Sequence, residues 1–283
     1  MAEKWIDVSA HQGMIDWPKV KASGVAGAVI RAGYGGSADQ QDAQFSANIR
    51  GAHAAGLKEA VYWFHYADSV DGILKEWAVC RQIILPYRQN ILFVASDYEY
   101  DSCRYYKKLH GTAPGNDLIN KMANAFLASA KADGWGTALY TNNDYRQNVF
   151  SAATLAAWPL WLADYTGGPD VPCMLQQTGS TGSVPGIYGG VDMDVCFSDL
   201  SVPDWTCDTA GTVEVARGAA YQALITSRST PSIIAGTPDV VTVLHRSDVG
   251  DRHYYYFVPI GRSGEEAGIY INGGPKQFIV RVR

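Results

Sequence analysis

Short apolar runs alternate with amphipathic segments over the first two hundred residues, and this alternation constrains the fold more than any other feature. The apolar runs predict eight strands, at 5–9, 26–34, 58–67, 90–99, 136–142, 159–166, 173–178 and 191–197. Helical segments fit between the first six strands, at 16–23, 42–55, 71–85, 116–132 and 144–157. Gly24, Gly56 and Gly134 follow three of them, where a left-handed residue commonly ends a helix. Strand–helix alternation of this kind predicts a parallel sheet.

The apolar runs also indicate how that sheet is closed. Runs such as ILFVA at 91–95 have no polar face, which is typical of strands covered on both sides. After the sixth strand the gaps become too short for a helix, so the segments form five β–α units followed by three strands. We expect an irregular (β/α)5β3, TIM-like barrel, with an open doubly wound sheet as the alternative. No GxGxxG or GxxxxGK[ST] motif follows a strand, so the pattern does not indicate a nucleotide site.

A second, smaller domain follows the barrel. The stretch LSVPDWTCDTAGT at 200–212 has the composition of a linker, and we place the boundary near Asp208. Residues 1–207 carry 15 basic and 21 acidic side chains, and residues 208–283 carry 8 and 7. The short β-branched and aromatic segments of 208–283 predict a small antiparallel all-β domain, sandwich-like or barrel-like. Within it, the run Tyr254–Tyr256 alternates in and out, so at least one ring should be buried.

Composition excludes several classes of protein. A hydrophobic content of 47% excludes intrinsic disorder, and no apolar run is long enough for a membrane span. The net charge of −5 argues against nucleic acid as a partner. The N-terminal residues contain no apolar signal region, so we expect synthesis without a classical secretion signal. Five cysteines without a CxxC motif predict neither a disulfide framework nor a zinc knuckle.

Acidic residues gather where the barrel strands should present functional groups. Asp7 lies on the first predicted strand, Asp97 and Glu99 end the fourth, and Asp192 and Asp194 lie on the eighth. Residues i and i+2 of a strand share a face about 6.5–7 Å apart. Two such carboxylates raise one pKa, giving the protonated and ionised pair that glycosidic cleavage requires. The alternative is a solvated or structural pair of acids.

Aromatic residues cluster at the same predicted strand ends. These are Tyr62, Tyr140, Trp161 and Tyr165. Their shared position favours a wall on which sugar rings stack, and ordinary barrel packing is the alternative.

Metal binding and nucleophilic catalysis are two other chemistries that the residue types of this region suggest. Asp7, Asp97 and Glu99 together with His65 are ordinary metal ligands, but no tight ligand spacing such as HExxH supports a metal site. We therefore expect no metal and no cofactor, with His65 hydrogen-bonded in the core. Ser9 and His11 do not form a nucleophilic site of the GxSxG type.

Longer motifs resemble a known family. The stretch WIDVSAHQGMIDWPKVKASGVAGAVIRAGYG at 5–35 is followed in order by AVYWFHYA, FVASDYE, LYTN, PLWLADY and SVPGIYGGVDMDVCF. Together they resemble the family-25 glycoside hydrolases, the Chalaropsis-type lysozymes, over nearly the whole of residues 1–207. The resemblance implies an irregular barrel of five β–α units and three strands. It also implies cleavage of the β-1,4 bond between N-acetylmuramic acid and N-acetylglucosamine in peptidoglycan.

The resemblance implies a role for individual residues as well. Glu99 corresponds to the general acid and Asp97 to its partner carboxylate, while Asp7 and Asp192 complete the acidic pocket. The groove residues it implies are Tyr62, Tyr140 and Trp161. Two stretches differ from many members: Leu175-Gln176-Gln177-Thr178 replaces Trp-Gln-Tyr-Thr, and Tyr62-Trp63-Phe64 replaces Tyr-His-Phe. The first difference predicts one groove aromatic fewer.

These expectations define a function. We expect a muramidase of phage or prophage origin, an endolysin, that is made in the cytoplasm of the infected bacterium. It would act on peptidoglycan in the cell wall after holin-type release. Residues 208–283 would be a wall-binding module, with a spacer or an oligomerisation module as the alternative. The competing functions are a catalytically inactive wall-binding protein and a metal-dependent peptidoglycan amidase or deacetylase.

Overall fold

A computed structural model describes residues 2–88, 90–200, 205–227, 230–250, 252–274 and 276–283. The chain forms two compact units, Met1–Ser201 and Val202–Arg283. This division lies before the boundary predicted near Asp208. The physical reason is that Trp205–Cys207 already forms a strand that pairs with Ile225–Ser227 in the second unit.

The first unit alternates strands and helices. Its strands are β1 (Glu3–Val8), β2 (Gly27–Tyr34), β3 (Lys58–Phe64), β4 (Ile91–Asp97), β5 (Thr137–Asn142), β6 (Leu160–Ala163), β7 (Leu175–Gly182) and β8 (Val191–Cys196). Its helices are α1 (Trp17–Ala22), α2 (Phe45–Ala54), α3 (Val70–Ile84), α4 (Tyr100–His110), α5 (Asn116–Ala132), α6 (Asn143–Asn148) and α7 (Ala152–Ala157). Gly24, Gly56 and Gly134 have φ values of 87°, 72° and 80°, so the predicted left-handed residues after α1, α2 and α5 are confirmed.

The eight strands close into a barrel in sequential order. The chain is therefore a mixed α/β protein with a closed eight-stranded barrel, and the alternative of an open doubly wound sheet is wrong. All neighbouring pairs from β1 to β7 are parallel. β8 is antiparallel to both β7 and β1. A wholly parallel barrel is thus wrong at its last strand, because the connection from β7 to β8 is too short to return the chain across the barrel.

Helix α4 is absent from the sequence-based prediction. It has no apolar face, since Ser102 is its one buried residue, and hydrophobic periodicity therefore cannot detect it. The sequence signals that could have predicted this helix lie at its ends. They are Asp101 in the first turn, three basic residues in the last turn, and Gly111 with φ 76° at the C-cap.

The predicted helix over 144–157 is two helices, α6 and α7. Phe150 turns into the core between them and is buried. Ser151 then caps α7, because its hydroxyl accepts the Thr154 N–H at 3.1 Å. The Ser151 cap therefore divides residues 144–157 into two helices, although their continuous apolar pattern predicts one.

Two apolar layers hold the barrel together. Inside it, Trp5, Phe93 and Trp161 pack with small residues, and a Cβ added at Gly27 would lie 2.3 Å from the Trp5 ring. Between barrel and helices, the second layer includes Ile6 and Phe126. Glycine at position 27 is therefore required by the close approach of the Trp5 ring to the β2 backbone.

The second unit is all-β in its described part. Its strands are β9 (Trp205–Cys207), β10 (Gly211–Val215), β11 (Tyr221–Ser227), β12 (Ile233–Ala235), β13 (Val241–Val249), β14 (Arg252–Pro259), β15 (Glu266–Ile271) and β16 (Lys276–Val282). They form two four-stranded sheets, of order β10-β16-β15-β12 and β13-β14-β11-β9, with one shared apolar core. Tyr255 is buried between two half-buried tyrosines, which confirms the predicted alternation. The β10–β16 pair is parallel, so a purely antiparallel domain is wrong there.

All five cysteines lie in the described residues and are free thiols, with Cys80 and Cys196 buried. Across the described part of the chain, no helix has both the length and the apolar character needed to cross a membrane.

Candidate active site

A cavity of about 450 Å³ opens where the parallel barrel strands end. It is lined by Asp7, His11, Arg31, Tyr34, Tyr62, Phe64, Tyr66, Asp97, Glu99, Asp101, Tyr140, Trp161, Gln177 and Asp192. The structure thus brings together four of the five acids singled out from the sequence, all but Asp194, and with them Tyr62, Tyr140 and Trp161. Tyr165 is not among the lining residues.

Strand β4 supplies the central pair of carboxyls. Asp97 is the last residue of the strand, and Glu99 immediately precedes helix α4. The sequence places both in one strand, which is wrong for Glu99. The backbone of Glu99 is nevertheless extended, at φ −128° and ψ −170°, so the alternation of a strand continues and both carboxyls line the cavity. The Glu99 N–H donates to Ser102 Oγ at 3.1 Å, which fixes the start of α4.

Burial gives both carboxyls an unusual affinity for protons. Burial raises the pKa of Asp97 well above its ordinary value, the Glu99 charge raises it further, and Arg31 lowers it. Burial also raises the pKa of Glu99, while a hydrogen bond from Tyr140 opposes this rise. Asp97 is 5% exposed, and its Oδ1 has no hydrogen-bond partner among the described residues. A buried carboxylate oxygen without a donor is an acceptor available to a bound molecule.

Strands β1 and β8 supply the other acids of the floor. Asp7 faces Asp192 across the antiparallel pair, and Asp194 follows two residues later on the same strand. Because β8 runs antiparallel, its beginning rather than its end lies at the cavity. Burial raises the pKa of Asp7 well above its usual range, with the charges of Asp194 and Asp192 adding to the effect. Burial raises the pKa of Asp194 to about 7, so this group of acids retains protons near neutrality.

Gln177 on β7 joins three sides of the cavity and was not predicted as a site residue. Its Nε2 donates to Asp7 Oδ2 at 2.8 Å. Its Oε1 accepts from the hydroxyls of Tyr140 at 3.1 Å and Tyr165 at 2.7 Å. Two adjacent glutamines, Gln176 and Gln177, lie in the buried first part of β7. They were the available signal, because buried amides require partners.

Arg31 on β2 carries the one guanidinium among the cavity-lining residues, and it too was not predicted from the sequence as a site residue. Its Nε pairs with Asp42 Oδ2 at 2.7 Å. The Asp42 carboxyl is buried and also accepts the Ala10 N–H at 2.9 Å. A charged residue within the apolar run AGAVIRAGY was the available signal, because charges in buried strands require pairing.

The aromatic residues divide into a floor and a rim. Trp161 is 2% exposed, its Nε1 donates to Asp194 Oδ1 at 2.7 Å, and its ring packs against Tyr140 at 4.6 Å between ring centroids. It belongs to the floor, where it offers little ring surface. The rim consists of half-buried rings that the sequence reasoning did not name, Tyr34, Phe64 and Tyr66. Tyr66 lies 6.0 Å from Tyr34 and 5.2 Å from Phe64 between ring centroids.

Tyr165, expected to line a groove, is 54% exposed and reaches the site through its hydroxyl bond to Gln177. Its role there is polar rather than a stacking surface at the cavity wall.

His65 follows β3 and is not among the residues that line the cavity. Its Nδ1 contacts Glu76 Oε2 at 2.6 Å and its Nε2 contacts Ser96 Oγ at 2.9 Å. Its ring packs 4.6 Å from the Phe126 centroid. Both ring nitrogens are therefore engaged in the layer below the helices, as expected for a core histidine, and His65 does not join Asp97 and Glu99 in one ligand set. Ser9 caps a short turn, accepting the His11 N–H at 3.2 Å.

A closed α/β barrel with paired, buried carboxyls in an aromatic-rimmed cavity has the arrangement of a glycoside hydrolase. The family model described as glycosyl hydrolases family 25 matches residues 6–182. The chain therefore belongs to glycosyl hydrolases family 25.

Individual proteins are similar to this chain in sequence or in structure. An autolytic lysozyme of Clostridium acetobutylicum is 26% identical over 206 residues, covering 68% of this chain and 55% of the relative. The modular autolysin LytC from Streptococcus pneumoniae, solved with a synthetic peptidoglycan ligand, superposes with a TM-score of 0.60 at 24% identity, covering 69% of this chain and 47% of that one. The chain thus spans about half the length of these two relatives.

A third similar structure is the catalytic domain of the endolysin ply40 from bacteriophage P40 of Listeria monocytogenes. It has a TM-score of 0.57 and 21% identity, covering 70% of this chain and 95% of that domain. At this identity the likeness shows a shared fold.

Proposed function

We propose that this protein is a peptidoglycan hydrolase, a 1,4-β-N-acetylmuramidase that cleaves the bond between N-acetylmuramic acid and N-acetylglucosamine. The observation that carries the proposal is the buried pair Asp97 and Glu99 in one cavity of a family-25 chain. The printed descriptions of the relatives, a lysozyme and an autolysin bound to a peptidoglycan ligand, support the choice of polymer.

Glu99 is the general acid in this proposal. It is less buried than Asp97 and stands beyond the end of β4, where a glycosidic oxygen can approach it. Its raised pKa favours the protonated form that donates to the leaving oxygen. Asp97 lies deeper, where burial and the Glu99 charge raise its pKa and Arg31 opposes the rise. A proton held on Glu99 removes that negative charge, so protonated Glu99 favours ionised Asp97. Ionised Asp97 stabilises the positive charge that develops at the anomeric carbon or orients the substrate's 2-acetamido group.

The remaining residues bind the saccharide. Asp7 and Asp192 are proposed acceptors or donors to sugar hydroxyls on the floor. The rim rings Tyr34, Phe64 and Tyr66 extend the proposed stacking surface, together with Tyr62. Tyr140 and Trp161 support that surface from below.

The architectural part of the proposal is an irregular (β/α)5β3 barrel. Its support is the element order: helices separate β1 to β6, and β6, β7 and β8 follow one another without a helix in the described residues. In this description the fourth unit carries two helices, α4 and α5.

We also propose that the enzyme is an endolysin of phage or prophage origin. It would be made in the cytoplasm of the infected bacterium and reach the cell wall after holin-type release. The structural likeness to a bacteriophage endolysin domain supports this assignment. The second unit, Val202–Arg283, would then be a wall-binding module.

Mass spectrometry of digested cell walls tests the proposed activity. We expect fragments whose new reducing end is N-acetylmuramic acid, formed equally well with excess EDTA. A reducing end of N-acetylglucosamine would contradict the bond assignment. A metal-dependent amidase would instead release stem peptides without new reducing ends. A metal-dependent deacetylase would remove acetyl groups without new reducing ends. Binding to walls without any cleavage would support an inactive wall-binding protein.

Wall binding tests the role of the second unit. We compare the full chain carrying Glu99→Gln with the same variant ending at Ser201, so that digestion does not remove the binding surface. If the second unit contributes a separate contact, sedimentation with purified walls should weaken about tenfold or more in the shorter chain. Equal binding by the two chains would defeat the targeting role and favour a spacer.

A further inference from the structure

We propose that Gln177 competes with Glu99 for the single hydroxyl proton of Tyr140, and that this competition keeps Glu99 in its acid form. Gln177 is then a positioning residue that acts on the reaction through Tyr140. The inference deepens the proposed function and rests on it where Glu99 is named as the proton donor.

The Tyr140 hydroxyl has one proton and two acceptors within reach. It donates to Gln177 Oε1 at 3.1 Å. Tyr140 pairs in register with Asp97 across β4 and β5, two residues before Glu99, and Tyr140 and Glu99 line the same cavity. Donation from this hydroxyl to the Glu99 carboxyl lowers the pKa of Glu99. A phenol has one O–H to donate, so a bond to the amide oxygen leaves the carboxylate without that donor. A hydrogen bond from Tyr140 to one of these acceptors therefore weakens its hydrogen bond to the other.

Gln177 is held in the orientation that makes it an acceptor. Its Nε2 donates to Asp7 Oδ2 at 2.8 Å, which turns Oε1 towards the two tyrosines. Tyr165 fills the second lone pair of Oε1 at 2.7 Å. Gln177 is 5% exposed, and both polar atoms of its amide have protein partners, which favours this orientation of the side chain.

Charged and titratable groups surround this junction from every neighbouring strand. Those that face Glu99 are Asp97 from β4, Asp101, Arg104 and Tyr100 from α4, Asp192 from β8, Tyr140 from β5, and Tyr165. Those that face Tyr140 are Glu99, Asp97, Asp7 and Tyr165. Most carry or share negative charge, so their combined effect also favours protonated Glu99. Gln177 is a neutral acceptor, and it adds to that effect without adding another charge.

The chemical consequence concerns the general acid. A proton donor to a carboxylate favours the ionised form, and loss of that donor favours the protonated form. By diverting the Tyr140 proton, Gln177 preserves the acid that must protonate the glycosidic oxygen. When Glu99 has given up its proton, Tyr140 can turn to the new carboxylate and stabilise it.

Gln177→Met tests the competition, since methionine keeps the length of the side chain and removes the acceptor. We expect the alkaline limb of the pH profile of kcat/KM to move to lower pH by about half to one unit, because Tyr140 then donates to Glu99 alone. Tyr140→Phe should move the same limb to higher pH. Gln177→Leu is the second variant, in case methionine packs poorly.

The double variant separates the competition from other effects of Gln177. Gln177→Met also removes the donor to Asp7, and that effect persists when Tyr140 is phenylalanine. We expect the shift caused by Gln177→Met to vanish, or nearly so, in the Tyr140→Phe background. A shift of equal size in both backgrounds would overturn the proposal.

A readout independent of activity is the carboxyl ¹³C NMR titration of Glu99, assigned by its loss in Glu99→Gln. The titration midpoint should fall in Gln177→Met and rise in Tyr140→Phe. These midpoint shifts in a chain without muramidase activity would refute the proposed function and leave the competition standing. An unchanged midpoint in folded Gln177→Met, or a rise, would refute the competition even if the enzyme is a muramidase.

Discussion

Glu99→Gln is expected to lower the rate of cell-wall solubilisation by about 10²–10⁴-fold, the usual contribution of a general acid. Glutamine keeps the size of the side chain and its hydrogen-bonding reach, but it cannot give a proton to the leaving oxygen. The position lies outside β4 and precedes α4, and its backbone N–H donates to Ser102 Oγ in the first turn of that helix. Glutamine keeps this N–H and a side-chain oxygen that accepts hydrogen bonds. The fold should therefore survive, and the loss should fall on kcat.

A matched control for this variant lies two residues further along the chain. Asp101→Asn also removes one negative charge from the cavity lining, but Asp101 is an exposed residue that pairs with Arg104. We expect its activity to stay within a few-fold of the wild-type value, since exposed ion pairs contribute little. Near wild-type activity of Glu99→Gln, or equal losses in the two variants, would rule out Glu99 as the acid.

Asp97→Asn should lower kcat by about 10²–10³-fold, the typical effect of removing one group that stabilises charge in the transition state. Asparagine fits the same space, but it carries no negative charge to face the anomeric carbon. The Oδ1 atom of Asp97 is buried without a hydrogen-bond partner among the described residues, so this oxygen is available to a bound molecule.

The same variant should be more stable than the wild type at neutral pH. Because burial raises the pKa of Asp97 in the folded protein, its ionisation costs stability as the pH rises above the ordinary value of 3.8. Asparagine removes that cost, and urea unfolding at pH 7 should show a higher midpoint together with the lost activity. A parallel fall in stability and activity would indicate that Asp97 is structural instead. Retained activity would refute its catalytic role.

Prediction from sequence worked where burial imposed a pattern on the chain. The eight barrel strands were found because interior runs such as ILFVA must be apolar on both faces. Helix α4 was missed because it buries almost nothing, and the direction of β8 was missed because a run of residues does not encode its polarity. The parallel pairing of β10 with β16 escaped prediction for the same reason.

In the candidate site too, residues marked by a pattern along the chain were predicted, and residues defined by contacts between strands were not. The strand-end rule and the family resemblance found Asp7, Asp97, Glu99 and Asp192, which the barrel brings into one cavity. The rule also selected Trp161 as a groove ring, although its neighbours leave it 2% exposed. Arg31 and Gln177 were not selected, because a polar residue in a buried strand has a role only through partners on other strands.

The sequence by itself therefore determined the two domain classes, the order of the strands and the acids that carry the proposed chemistry. These follow from local patterns, since hydrophobic periodicity and strand-end position are properties of neighbouring residues. Only the tertiary structure decided that Gln177 joins Asp7, Tyr140 and Tyr165, and that Arg31 lies near Asp97. Asp7 and Gln177 are 170 positions apart, and closure of the barrel alone brings their side chains within hydrogen-bonding distance.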